Sequence, residues 1–592
     1  MQLDYPFDVE YILSKRKRLR RELIEGTAIF LEKRIAVLGG STTHDIVEIL
    51  ELFLLHSGIK PTFYQSEYAQ FWQDAMFPNP ALKSFAPDII FIHTSNRNIT
   101  AYPTLLDDEM AVNVLLDTEF NRFSVMWDEL HDTYGCPIIQ NNFEYPFYRL
   151  LGNRDAWDFR GKVNYVTCLN AKFYEYAQKH DSFFINDINW LAADYGLEKW
   201  ADPFYWHMYK YALNLSAIPY LAHSVASIIS SVFGKNKKVL ALDLDNTLWG
   251  GIVGDDGAEN LKIGQETSEG QVYSEFQAYL KAHKQLGILL SVNSKNDYSN
   301  ALAGLNLSDC VLKPEDFVVI KANWEPKSQN LMDIADELAL LPESFVFVDD
   351  NPAEREIIRS QVSGVATPEM DRPERFIYTL DRSHFFEATN ISEDDLKRVE
   401  MYTANVGRAK LQSSFVYYNE YLLSLSMEAE IKPFDSFHAS RIAQLTNKSN
   451  QFNLTTKRYT QGEIEATAVD PERITLYGKL TDKFGDNGVV SVVIGRNIEN
   501  TLHMELWLMS CRVLKREFEQ AMLDEVVRLA VARGLDEIRG YYYPTAKNSM
   551  VKDFYGCMGF EKLSEDETGI SKWRLLTSGY ESKCSVIRVN GG

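Results

Sequence analysis

Short apolar runs alternate with longer stretches of helical period over the first third of the chain. Arg34–Leu38 is apolar and leads into Gly39, Gly40 and Ser41, and a helical pattern follows from Asp45 to His56. Asp88–His93 predicts a second buried strand, and Pro137–Gln140 the start of a third. Strands alternating with helices predict a parallel α/β sheet. A Gly- and Lys-rich joint, Gly234–Lys238, precedes a new apolar strand at Val239–Leu242, which places the first boundary. A second α/β unit extends to about Ser383, and residues 390–427 read as a charged, helical connector. After Pro433 the pattern changes again. Ile474–Leu480 and Val489–Gly495 predict a hairpin, His503–Met509 and Ile538–Tyr543 strands, and 517–533 an amphipathic helix between them. A last helix is predicted near 547–556. The predicted domains are 1–235, 236–385, a connector at 386–430, and 431–592.

Length and charge restrict the function classes. A chain of 592 residues holds three or four domains at ordinary sizes. The net charge of −22 argues against a general nucleic-acid binder, because phosphate-backbone affinity comes from cation excess. A local basic pocket for a phosphorylated substrate remains compatible with it. Six cysteines without a CxxC pair predict reduced thiols and a cytoplasmic location. Neither a leader nor a membrane span is predicted. The basic run Ser14–Arg21 reads as a solvated helix face.

The chemistry concentrates at three strand ends. Val239–Leu242 delivers Asp243 and Asp245, two apart and so on one side of an extended segment, with Thr247 beyond. In an open parallel sheet that end is where ligands bind. Two neighbouring carboxylates call for a divalent cation between them and a substrate phosphate. One can attack phosphorus while the other handles the leaving-group proton. Three partners follow in order: Ser294 at the end of the strand Ile288–Ser294, Lys327 before a helix, and Asp349 and Asp350 at the end of the strand Phe345–Asp350. This set resembles the haloacid dehalogenase superfamily of phosphotransferases. The resemblance implies Asp243 as nucleophile, Asp245 as general acid/base, Ser294 as phosphate-binding hydroxyl and Lys327 as the charge-stabilising lysine. It also implies Mg²⁺ held by Asp243, Asp245, Asp350 and the adjacent Asp349. The gaps between these residues leave no room for a cap domain, so an open site is expected.

Longer strings narrow the resemblance. TLWGGIVGDDG (247–257), NWEPKSQN (323–330), FVDDNPAERE (347–356), QLTNKSNQFNLTTKRYT (444–460) and LTDKFGDNGVV (480–490) are similar to the FkbH-like family. That family implies an N-terminal SGNH-hydrolase-like domain, a phosphatase domain and a C-terminal GNAT-like acyltransferase domain. It implies an acyl phosphate donor such as 1,3-bisphosphoglycerate and loading of the acyl group onto an acyl carrier protein. Ser41 would be the SGNH nucleophile, although Gly40 replaces the expected aspartate and the Asp-x-x-His block is missing: Asp202 and His207 are five apart. In the C-terminal part, Tyr555 matches the tyrosine that protonates a leaving thiolate, and Cys511 is a candidate acyl-carrying thiol. Arg512, Lys515, Arg516 and Asn548 are the candidate cofactor binders. The turn Arg512–Glu517 contains no glycine, so a backbone cradle for pyrophosphate is not expected. Acetyl-CoA is therefore the less favoured cofactor, and the phosphopantetheine arm of a carrier protein the alternative. A plain phosphatase of a phosphorylated sugar or metabolite is the competing reading. A non-catalytic scaffold is the other, against which the complete set of acids argues.

Overall fold

The computed structural model describes residues 3–26, 30–412, 414–449, 451–510, 513–545 and 548–590. The chain forms two compact units, Met1–Val232 with Glu387–Asn390, and Phe233–Phe386 with Ile391–Gly592.

The first unit is a five-stranded parallel sheet. Its strands are β1 Leu31–Gly39, β2 Ile59–Gln65, β3 Ile89–His93, β4 Ile138–Asn141 and β5 Phe183–Asn186, in the order β2-β1-β3-β4-β5. Ile35–Leu38 of β1 and Ile89–Ile92 of β3 are continuous apolar runs, buried because helices cover both faces. Helix His44–His56 packs beneath the sheet against helix Ile218–Val232. The stretch Leu215–Val232 is, among the described residues, the one helical segment long and apolar enough to cross a membrane, and two thirds of it is buried inside the fold. The basic run is not simply solvated: Arg16 and Arg20 pair with Asp45 and Glu51 of helix His44–His56 at 2.5 and 2.8 Å.

The second unit holds two sheets. The first is parallel, with β6 Val239–Leu242, β7 Leu289–Ser294, β8 Val319–Ala322 and β9 Phe345–Val348 in the order β8-β7-β6-β9. Its strand order reverses beside β6, which opens a crevice at that strand's C-terminal end. The longest helices in its three connections are Ser268–Gln285, Tyr298–Leu305 and Lys327–Glu337, and no inserted domain lies among the described residues.

The other sheet is mixed: β10 Met427–Lys432, β11 Phe452–Asn453, β12 Arg473–Asp482, β13 Gly485–Ile498, β14 Thr501–Met509, β15 Glu537–Tyr542, β16 Glu561–Glu565, β17 Ser571–Leu576 and β18 Ile587–Asn590. Parallel β14 and β15 pair only over Thr501–His503 and Glu537–Arg539, then diverge. The chain fills that wedge itself. Phe452 and Asn453 pair with Met509 and Leu508, Leu454 N–H donates to the Trp507 carbonyl at 3.1 Å, and Tyr543 N–H to the Leu454 carbonyl at 2.9 Å. The polar stretch around Asn447–Arg458 thus supplies a short strand, Phe452–Asn453. Helix Arg398–Gln412 ties the connector to this sheet: buried Arg408 grips both oxygens of buried Asp482 at 2.8 and 2.7 Å.

Candidate active site

Three strand ends converge at the C-terminal edge of the small parallel sheet. Leu242 lies in register with Val348, so Asp243 and Asp349 emerge side by side, and Asp243 N–H donates to the Val348 carbonyl at 2.9 Å. Carboxylate oxygens of Asp243, Asp349 and Asp350 all lie within 4.8 Å of one another. Lys327, 4% exposed, opens helix Lys327–Glu337 and reaches into this cluster. Its Nζ sits 3.0 Å from Asp243 Oδ2 and 2.6 Å from Asp349 Oδ2. The helix start is held in turn by Asn293 of β7, whose Nδ2 donates to the Lys327 carbonyl at 2.9 Å.

The electrostatics follow from burial. Burial opposes the charge on Lys327, but Asp243 and Asp349 outweigh it and hold the ammonium above its ordinary pKa. Burial, followed by the charge of Asp243, pushes Asp349 up to about 6 and raises Asp350 as well. One ammonium does not balance three carboxylates, and hard oxygen donors this close fit a divalent cation of the magnesium type. Among the described residues, the carboxylates that lie close enough together to share such a cation are those of Asp243, Asp349 and Asp350.

The Asp245 carboxylate is held by its own donors. Its Oδ1 accepts from Trp249 Nε1 at 2.9 Å and from Val253 N–H at 3.0 Å, and its Oδ2 from Asn296 Nδ2 at 2.8 Å. With these three donors in place, its carboxylate is not one of the three that lie within 4.8 Å of one another. Burial raises its pKa against the pull of those hydrogen bonds. A half-buried, upshifted carboxyl near Asp243 is suited to giving and taking a proton. Ser294 is buried at the end of β7, its carbonyl accepting from Asn323 N–H at 3.2 Å.

Several supporting residues escaped the sequence reading. Thr247, noted only in passing there, exchanges hydrogen bonds with Asp350, donating to Oδ1 at 3.3 Å and accepting from its N–H at 3.2 Å. Buried Arg355 donates from Nη1 to the carbonyls of Asp349 and Asp350 at 2.9 and 2.8 Å. Its Nη2 is anchored by Glu369 and Asp371, each at 2.9 Å. Arg355 therefore positions the acidic pair through its backbone. Arg355→Lys keeps the charge but loses the planar fork, and should weaken metal affinity by about 10–100-fold. Magnesium titration of phosphatase activity reads this, with thermal melting to establish that the variant is folded.

The remaining predicted residues fare differently. Cys511 and Arg512 lie outside the described residues. Lys515 is exposed. Arg516 is buried, with Nη1 3.3 Å from Asp482 and Nη2 donating to Asn405 Oδ1 at 2.9 Å, so it serves the fold and is not available to a cofactor phosphate. Asn548 is likewise structural: its Nδ2 donates to the carbonyls of Asn453 and Tyr543, both at 2.9 Å, and its Oδ1 accepts from Thr545 N–H at 2.7 Å. Tyr555 is a core ring, so close to Gly540 that a Cβ there would stand 2.5 Å from it, and burial holds its phenol protonated above its usual range. Ser41 is buried after β1, and its Oγ has no hydrogen-bond partner among the described residues, so no base is joined to it. His207 is exposed on helix Pro203–Tyr209, and Asp202 caps that helix through Phe204 N–H.

Before helix Phe518–Ala532 the turn is already occupied. Lys515 and Glu517 both adopt positive φ, 64° and 62°. Lys515 N–H donates to the buried Glu519 carboxylate at 3.1 Å, and Tyr418 Oη to the Lys515 carbonyl at 2.5 Å. A carboxylate thus stands where a pyrophosphate would need donors. Calorimetric titration of the full chain with acetyl-CoA should show no saturable binding.

A parallel sheet that gathers a lysine-bridged carboxylate cluster at its strand ends defines a phosphatase-type enzyme. Comparison with known proteins agrees. Residues 34–230 match the family model described as FkbH, N-terminal domain. The crystal structure of the N-terminal part of the protein BF1531 from Bacteroides fragilis, containing a phosphatase domain complexed with Mg, is 30% identical. It covers 63% of this chain and 99% of its own, with a TM-score of 0.58. The chain belongs to the FkbH-like family. An acetyltransferase of the GNAT family from Streptococcus pneumoniae is 16% identical, covering 25% of this chain and 99% of its own, with a TM-score of 0.22. No curated protein sequence matches the chain.

Proposed function

We propose that the protein is a magnesium-dependent phosphatase coupled to acyl transfer, acting on a phosphorylated acyl donor and loading an acyl carrier protein. The observation that carries the phosphatase half is Lys327, buried between Asp243 and Asp349 beside the separately held Asp245. Asp243 Oδ attacks phosphorus, the P–O bond to the leaving oxygen breaks, and Asp245 delivers that oxygen a proton. Asp245 then takes a proton from the water that hydrolyses the aspartyl phosphate. Lys327 and the Ser294 hydroxyl hold the phosphoryl oxygens. A divalent cation held by Asp243, Asp349 and Asp350 would neutralise charge on the incoming phosphate.

The chemistry also constrains the donor. Cleaving an acyl phosphate at phosphorus would release a carboxylate and forfeit the activation needed for acyl transfer. The phosphatase site therefore acts on a phosphomonoester, whose alkoxide needs the proton that Asp245 supplies. The acyl-phosphate carbonyl is left for a thiol to attack, with inorganic phosphate leaving. A donor such as 1,3-bisphosphoglycerate carries both groups. The thiol is the carrier's phosphopantetheine, directly or after Cys511. The three-part architecture, with an SGNH-like first domain and a GNAT-like last one, belongs to the same proposal. Acid quench shortly after mixing with a radiolabelled phosphomonoester tests the phosphoenzyme: label retained on the wild-type chain supports it, and its absence counts against it.

A further inference from the structure

The segment between β4 and helix Lys162–Ala177 inverts the charge character of this acidic chain. Its carboxylates are turned inward: Glu144, Asp155 and Asp158 are all buried. Asp155 accepts from Leu151 and Val163 N–H groups at 3.2 and 2.9 Å, and Asp158 is gripped by Arg154 and Arg160 at 2.6 and 3.0 Å. What faces outward is apolar and basic. Phe147, Leu150 and Trp157 are 61%, 68% and 66% exposed, with Arg149 exposed among them.

Cations and rings form a continuous strip with this loop. Arg97, from the turn after β3, lies 5.5 Å over the Phe147 ring and 5.1 Å over Trp206, and Lys210 lies 5.6 Å from Trp206. Phe147 meets Tyr148 at 5.0 Å, and Lys162 donates to the Tyr148 hydroxyl at 2.5 Å. Among the described residues, Arg97, Arg149, Lys162 and Lys210 form no ion pair.

We infer that this strip is the docking surface for an acidic protein partner. Resting on the acyl-transfer reading, that partner is the carrier protein itself. Exposed large aromatic and aliphatic side chains among arginines are the composition of an interface centre. On a chain of net charge −22 an acidic partner is repelled nearly everywhere, so a local basic strip selects both the approach and its orientation. A nucleic acid fits less well: the cations are few, and the most exposed groups are aliphatic or aromatic without the phosphate-binding density a polyanion needs.

The test uses the full chain and a phosphopantetheinylated acyl carrier protein immobilised for interferometry. Arg149→Glu and Leu150→Ser, both on exposed side chains, should each weaken carrier binding about tenfold. For the wild type, binding should weaken as salt rises, and less steeply for Arg149→Glu. Phosphate release from p-nitrophenyl phosphate should match wild type in both. Carrier binding unchanged in both variants, no carrier binding by wild type, or equal competition by a single-stranded oligonucleotide would each overturn the inference. Acyl loading is followed in parallel. Variants that load at the wild-type kcat/KM overturn the docking surface and leave the acyl-transfer reading standing. Carrier bound through the strip but never loaded does the reverse.

Discussion

Asp243→Asn should lower phosphate release by at least about 10³-fold, because a catalytic unit fails with its nucleophile. The substitution is nearly isosteric, and Asp243 N–H keeps its bond to the Val348 carbonyl. The loss is therefore chemical and not a consequence of unfolding. An amide also removes one of the two negative charges on Lys327, leaving Asp349 as its remaining partner at 2.6 Å. Steady-state phosphate release, with circular dichroism to verify the fold, reads this directly. Activity within tenfold of wild type would remove Asp243 from the nucleophile's role.

Removing the divalent cation should abolish turnover equally. Without it, Asp243, Asp349 and Asp350 face an incoming phosphate with only Lys327 to offset them, and like charges that close in a buried site repel strongly. Exhaustive chelation should stop phosphate release, and magnesium should restore it. Calcium should restore it poorly, since its larger and more flexible coordination suits a compact three-carboxylate site less well. Full turnover after chelation would contradict the assignment of the acidic cluster.

The phosphatase site was legible because its chemistry sits at strand ends. Asp243 and Asp349 each follow an unbroken apolar run, β6 and β9, whereas β7 already carries Ser291 and Asn293 before Ser294. Asp245 was legible as an acid but not in its orientation, which depends on Asn296, a residue distant in sequence and adjacent only in space. Arg355 gave a weaker signal: it lies on the inward side of helix Pro352–Gln361, a basic residue among buried neighbours such as Ile358. The C-terminal sheet was read less well for a related reason. Arg516 and Asn548 are polar and follow strand-like segments, which suggests ligand contact. The structure satisfies both internally, through Asp482 and through the inserted Asn453. That insertion is set by the divergence of β14 from β15, a feature of three-dimensional twist with no periodic signature in the chain.

Intact-protein mass spectrometry of a carrier protein incubated with the enzyme, magnesium and 1,3-bisphosphoglycerate tests the coupled reaction most directly. With wild type the carrier should gain the mass of one glyceryl group that itself bears no phosphate. Dephosphorylated product should disappear with Asp243→Asn. An unmodified carrier in the presence of full phosphate release would contradict the account and leave a plain phosphatase.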